Sequence, residues 1–195
     1  MTMKTELLSP SDYHVMPWKN GLGKTTEIAI EQNSDNPERY LWRVSIADVT
    51  TDGPFSHFNG YQRLIATIEG AGMELTVDGT AHVVRHRDPA FAFSGEAEVD
   101  CRLLDGPIRD FNLIYDPELV AGDVELLSHG EERQLQAKPS ATVFIHALDS
   151  IVHVDGFGMV KSNHTLKLEE LDQQVRVRCA ENAAAVIVTV TPKAV

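Results

Sequence analysis

Cysteine is nearly absent from this chain. Of 195 residues only Cys101 and Cys179 are cysteines, and neither belongs to a C-x-x-C pair. That excludes a disulfide scaffold and a cysteine-rich zinc site, and it makes a reducing cytoplasm the expected location. Long apolar runs are missing too. Nothing approaches the roughly 20 residues of a membrane helix, and the opening MTMKTELLSPSDYHVMPW lacks the apolar centre of a signal peptide. Positive charge is scarce. With 17 basic against 29 acidic residues the formal charge is −12. That argues against nucleic acid, whose binding rests on neutralising phosphates, and against an anionic membrane surface. A small anionic ligand remains compatible, because a pocket sets its own local field.

Catalytic signatures are equally thin. No G-x-S-x-G elbow occurs. Gly23-Lys24-Thr25 imitates the end of a phosphate-binding loop, but Trp18 stands in the slot of the first glycine and no helical pattern follows. The eight histidines are scattered. His82 and His86 have helical i, i+4 spacing, yet they fall on a strand and turn pattern. Glu27 and Asp110, if set beside arginines, are expected to stay ionised rather than shuttle protons.

What is present is β-pattern. Tyr40–Val49 reads as a strand with Trp42, Val44 and Ile46 on one face and Arg43, Ser45 and Ala47 on the other. Leu64–Ile68 and Met73–Val77, joined by Glu69-Gly70-Ala71-Gly72, read as a hairpin. Further strand patterns cover Thr25–Ile30, Thr80–Val84, Ala90–Ser94, Glu96–Leu104, Asp110–Tyr115, Ala141–Ala147, Ser150–Val154, Gln174–Cys179 and Ala184–Thr191. Pro117–Leu127 is the one helical candidate. Residues 1–15 carry few signals. The order of strands and turns in Leu64–Tyr115 is echoed in Thr142–Val190, which predicts two similar β-modules of sandwich or barrel type. The expected division is 1–116 and 117–195, with the N-terminal strands free to pair with the second module.

An ordered set of motifs then resembles a known family. It comprises Met16-Pro17-Trp18-Lys19-Asn20-Gly21, Thr26-Glu27-Ile28, Trp42-Arg43-Val44-Ser45, Gly53-Pro54-Phe55-Ser56 with Phe58, Gly60 and Arg63, Glu69-Gly70, Phe91-Ala92-Phe93-Ser94-Gly95 and Asp110-Phe111-Asn112. In this order the set resembles the HutD/Ves family over the first two thirds of the chain. The resemblance implies an all-β, cupin-like (RmlC-like jelly roll) fold with two β-barrel modules. It also implies a cytoplasmic regulator or ligand-binding protein associated with histidine utilisation.

Cupins usually hold a metal through G-x5-H-x-H-x3-4-E-x6-G. With the last glycine set at Gly70, the glutamate slot falls on Arg63. The histidine slots fall on His57 and Asn59, or on Ser56 and Phe58 with the longer spacer. An arginine cannot lose its proton to accommodate a cation, so neither metal nor cofactor is expected. Arg63 becomes the leading candidate for a ligand carboxylate, which its planar fork can take in two parallel bonds. Arg43 is a second cation if its strand face lines the barrel, and Ser45 shares that face. Asn20, Thr26 and Glu27 are candidates at the mouth. Trp42, Phe91 and Phe93 are candidate walls, and Asp110 and Asn112 share a strand face.

The expected function is binding of a small anionic metabolite, such as urocanate or formylglutamate. An enzyme with a nonstandard metal site around His57 is the alternative, and a structural or partner-binding module the second. An edge strand would allow a homodimer, which nothing in the sequence specifies.

Overall fold

A computed structural model describes residues 3–19 and 21–194. Apart from one 3-10 turn at Pro10–Asp12, its regular structure among the described residues is strand. Among the described residues no helix is long and apolar enough to cross a membrane. The all-β expectation is thus met, and one element within it is corrected. Pro117–Leu127 is not helical; Val120–Leu127 is a strand at the edge of a five-stranded sheet. Its buried residues Val120, Val124 and Leu127 fall at spacings of four and three, which imitate a helical face. The branched valines and the sheet neighbour decide otherwise, since tertiary pairing overrides weak helix propensity.

The chain forms two compact units. One is His14–Val120; the other takes Ala121 onward together with the segment ending at Tyr13. The first strand, Lys4–Leu8, is hydrogen-bonded antiparallel to Thr165–Leu171, with Leu7 opposite Leu166. The N-terminal segment therefore belongs to the unit that is distant in sequence. In that unit two sheets enclose Val143, Ile145, Val152, Leu168, Val177 and Ile187, each almost fully out of water. Branched aliphatics at alternate strand positions form this interior.

The His14–Val120 unit also has two sheets. The six-stranded one runs in the order His14–Pro17, Gly23–Gln32, Tyr40–Val49, Ile108–Tyr115, Gln62–Glu69 and Phe91–Ser94. The four-stranded one runs Gly53–Pro54, Val99–Leu103, Gly72–Val77 and Thr80–Arg85. Side chains from both sheets, among them Ile65, Met73, Leu75, Val99 and Ile108, pack between them.

The expected hairpin of Leu64–Ile68 with Met73–Val77 does not form. Gln62–Glu69 pairs with Ile108–Tyr115 and Phe91–Ser94, while Gly72–Val77 pairs with Val99–Leu103 and Thr80–Arg85. The connection is a corner between sheets. Gly72 makes it possible with φ +124, a conformation closed to other residues at low cost, and a Cβ there would lie 2.5 Å from the Val84 carbonyl oxygen. The true hairpin is the next one. Asp78 and Gly79, both at positive φ, form the two-residue connection between Val77 and Thr80.

These two glycines should respond differently to alanine. Gly72→Ala meets backbone atoms as well as strain, and it is expected to cost about 3 kcal/mol or more. Gly79→Ala has open space around it and should cost only the left-handed penalty of about 1–2 kcal/mol. Denaturant midpoints of the two variants compare them directly; equal losses would refute the corner argument.

Candidate functional site

Strand register builds the site row by row. Antiparallel partners share a face, so residues opposite one another across the six-stranded sheet form lines across its inner surface. Arg43 lies opposite Ile114, Ile114 opposite Arg63, and Arg63 opposite Phe93. One step along, Glu27 lies opposite Ser45, Ser45 opposite Asn112, and Asn112 opposite Ile65. The third row is Thr25, Ala47, Asp110 and Thr67. A bulge at Arg109/Asp110 against Gln62–Glu69 adjusts the register beside this last row, as bulges commonly do next to sites.

These rows floor a cavity of about 610 Å³. Its walls include Arg43, Ser45, Arg63, Asp110 and Asn112 from the sheet, Trp18 and Lys19 from the Pro17–Gly23 connection, and Phe55 and Phe58 from the loop after Gly53–Pro54. Gly23 allows Trp18 to lie close. A Cβ at Gly23 would stand 2.8 Å from the indole and 2.3 Å from the Asp48 carbonyl oxygen. The indole Nε1 donates to Thr25 Oγ1 at 2.9 Å, which fixes the ring.

Arg63 is the centre of this arrangement. It is only 6% exposed. Three aromatic rings surround its guanidinium, with Phe93 at 4.9 Å and Phe55 and Phe58 each at 5.2 Å from their centroids. Contacts of this type contribute about 0.5–2 kcal/mol each when desolvated. Nη2 donates to Asn112 Oδ1 at 2.9 Å, and Asn112 Nδ2 donates in turn to Asp110 Oδ1. The side chains thus form a relay of cation, amide and carboxyl. The Arg63 Nε–H, although buried, has no hydrogen-bond partner among the described residues. Burial lowers the Arg63 pKa to about 10, against the opposing pull of Asp110, so the group is still a cation at neutral pH.

Asp110 behaves differently from the sequence expectation. It is 1% exposed, and burial pushes its pKa up to about 7, outweighing the Arg63 charge and the Asn112 bond. Proximity to arginine does not keep this carboxyl permanently ionised, because the amide of Asn112 stands between the two and desolvation is the larger effect. Arg43 is neutralised locally: its Nε lies 2.8 Å from Glu27 Oε2, with both side chains mostly covered.

Of the sequence candidates, Arg63, Arg43, Ser45, Asp110 and Asn112 line the cavity. Glu27 reaches it through its ion pair with Arg43, and Phe93 through the Arg63 cage. Phe91 stacks on Phe93, with ring centroids 5.9 Å apart, and stands behind the lining. Thr26 and Trp42 lie on the opposite strand faces, since Thr26 pairs with Ile46 and Glu31 with Trp42. Thr25 takes the inward position instead. Asn20 lies outside the described residues. Phe55, Phe58 and Trp18 were legible as aromatics near the arginine and the Asn-Gly turn, but only the folded loops bring them against the cavity.

These features can be set beside known proteins. A family model described as HutD matches residues 10–188. The chain belongs to the HutD family. The resemblance read from the ordered motifs is therefore borne out. The chain is 43% identical over 153 residues to an uncharacterised 21.2 kDa protein in the hutC 3′ region of Pseudomonas putida, covering 78% of each. It is 36% identical over 108 residues to protein Ves of Escherichia fergusonii, covering 53% of this chain and 55% of that one. Among solved structures, HutD from Pseudomonas fluorescens SBW25 aligns with TM-score 0.83 and 34% identity, covering 98% of this chain and 100% of the other. A conserved protein of unknown function from Pseudomonas aeruginosa PAO1 gives 0.82 and 41%, covering 96% and 99%. The bacterial pirin YhhW of Escherichia coli, solved in complex with nickel(II), gives 0.69 at 10% identity, covering 97% and 100%; that likeness shows the fold alone. The fold of this HutD-family chain is cupin-like.

Metal-holding members of such a fold prompt a test of the donor set. Arg63 offers N–H donors and no lone pair, and the oxygen of Asn112 already accepts from it. His57 is exposed and is not part of the lining. Among the described residues no group of three or more His, Cys, Asp or Glu is gathered to hold a metal ion. The residues present do not fit a metal centre.

The Asp110 carboxyl gives a test of the electrostatics. Its folded pKa lies above the unfolded one, so its contribution to stability is complete below about pH 4 and is lost progressively as pH rises to about 7, beyond which nothing further changes. Asp110→Asn removes that loss. Its stability relative to the parent protein should increase between about pH 4 and 7, by up to about 1.4 kcal/mol per pH unit, and level off above 7. Urea unfolding across this range measures it, and a pH-independent difference would refute the assignment.

Proposed function

We propose that this HutD-family chain binds a small carboxylate-bearing metabolite in the cavity of the His14–Val120 unit, and that binding rather than chemistry is its task. The observation that carries this reading is the Arg63 guanidinium, buried within an aromatic cage with its Nε–H unpaired among the described residues. A buried donor left without an acceptor costs about 1–3 kcal/mol. A ligand carboxylate in the cavity would meet the guanidinium with a charge-assisted bond, about twice as strong as a neutral one, and offset that cost. The guanidinium's planar fork takes a carboxylate in two parallel bonds, so a planar carboxylate is the matching shape.

The setting of relatives supports the choice of metabolite. One relative takes its name from the hutC 3′ region, and another is HutD itself. Intermediates of histidine breakdown such as urocanate and formylglutamate are small carboxylates, and either fits the volume. A cytoplasmic protein that senses or caps such a pool would need only to bind it. The Asp110 carboxyl, with a pKa of about 7 inside a cavity, favours a second reading, acid–base catalysis on the same ligand. Proton NMR of urocanate and formylglutamate incubated with the protein separates the two, since turnover would favour the second.

Melting in a panel of these acids tests the first. Ligand at a hundred times its Kd adds about 2.7 kcal/mol to stability, and urocanate or formylglutamate is expected to raise Tm accordingly. Arg63→Met should abolish the rise, and Arg63→Lys should weaken it by losing the fork. A shift that survives Arg63→Met would remove this residue from the site.

A further inference from the structure

Resting on that reading, the charges around the cavity constrain how an anion can enter. The charged and titratable groups facing Asp110 come from four strands and two rim loops. Gln62–Glu69 supplies Arg63, Tyr40–Val49 supplies Arg43 and Asp48, Gly23–Gln32 supplies Glu27, Val99–Leu103 supplies Cys101, and the rim loops supply Lys19 and Asp52. Most are already compensated. Arg43 is paired with Glu27 at 2.8 Å. Asp48 is held by Lys24 at 3.3 Å and by Arg109 at 2.9 Å. The buried Cys101 thiol is pushed up to about 12 and stays neutral. Lys19 and Asp52 are exposed and face water.

That leaves Arg63 and Asp110 as the pair whose charge the ligand meets. With Asp110 ionised, the relay through Asn112 is neutral overall. A monocarboxylate added to it would leave one uncompensated negative charge out of water, the costliest arrangement available. With Asp110 protonated, the incoming carboxylate and Arg63 cancel, and the Asn112 amide still bonds both ends.

We infer that the cavity takes up its carboxylate together with one proton, which the Asp110 carboxylate receives from solvent. Asp110 is thus a specificity-determining residue that acts through Asn112 and Arg63. It makes the site favour a monoanion such as urocanate over a dianion such as formylglutamate, and makes affinity a function of pH. The raised pKa of Asp110 in the free protein agrees with this geometry. Ligand binding should raise it further, because a second anion has joined the neighbourhood.

Urocanate at pH 7.5 to 9, where its imidazole is neutral, is a suitable probe. The parent protein should lose affinity about tenfold per pH unit over this range. Asp110→Asn should bind with a flat profile and exceed the parent at pH 9. Calorimetry of the parent protein at pH 8, in two buffers of different ionisation enthalpy, should report uptake of about one proton per urocanate by the linkage argument. This arm needs no variant and stands if Asp110→Asn fails to fold. A flat profile with no proton uptake, in a protein that does bind urocanate, would overturn the proton coupling and leave the ligand reading intact. No binding of urocanate or formylglutamate at any pH would overturn both.

Discussion

A guanidinium held away from water is the constraint on which this barrel's interior depends. Arg63 cannot discharge itself by losing a proton, so its surroundings must compensate for hydration. They do so in three ways: aromatic rings around it, an amide oxygen on Nη2, and a carboxyl one amide further on. None of these matches the hydration lost, and the unpaired Nε–H shows where the compensation stops. The cavity lies against this residue. An incomplete shell around a fixed charge is what separates a binding site from a packed core.

The position of every member of that shell follows from register. Arg63, Ile114 and Arg43 share one line across the sheet, and Asn112 and Ser45 share the next. A slip of one residue in Ile108–Tyr115 would turn Asp110 and Asn112 outward and bring Phe111 and Leu113 inward. Both of those are fully buried on the other face, so the slip would exchange apolar for charged groups on both sides. The hydrophobic pattern that fixes the fold therefore also fixes the site. The other unit spends its inner face differently, filling it with Val143, Ile145, Leu168 and Ile187.

Alternation along strands made much of this legible in advance. Tyr40–Val49 has the bounds read from its sequence, and the assignment of Arg43 and Ser45 to one face followed from period two alone. Thr26 failed for the same reason that Thr25 succeeds: parity depends on the partner strand, and a bulge between Glu27 and Ala29 resets it. The corner at Gly70–Gly72 was misread as a hairpin because glycine marks a sharp change of direction without saying toward which sheet. Val120–Leu127 reads as helical because Val120, Val124 and Leu127 fall at the four- and three-residue spacing of a helical face. The two other members of the aromatic cage, beside Phe93, could not be placed from sequence for another reason. Phe55 and Phe58 sit on irregular backbone, where no periodicity links a residue to the side of the barrel it will face.

The misjudged ionisation of Asp110 carries the more general point. From sequence, a carboxylate among arginines is a salt bridge, and the expected effect of a neighbouring cation is to lower the pKa. That holds when the pair is in contact and partly solvated. Here Asn112 separates them, and the carboxyl is almost wholly removed from water. Desolvation grows with burial of the group itself, while the attraction is diminished by the spacing, so the first exceeds the second. An acidic ligand at the Arg63 position would have turned this interior toward a metal cation. With arginine there, the same barrel presents a cation of its own, and the nearby acid becomes the group that must yield its charge before another anion can share the space.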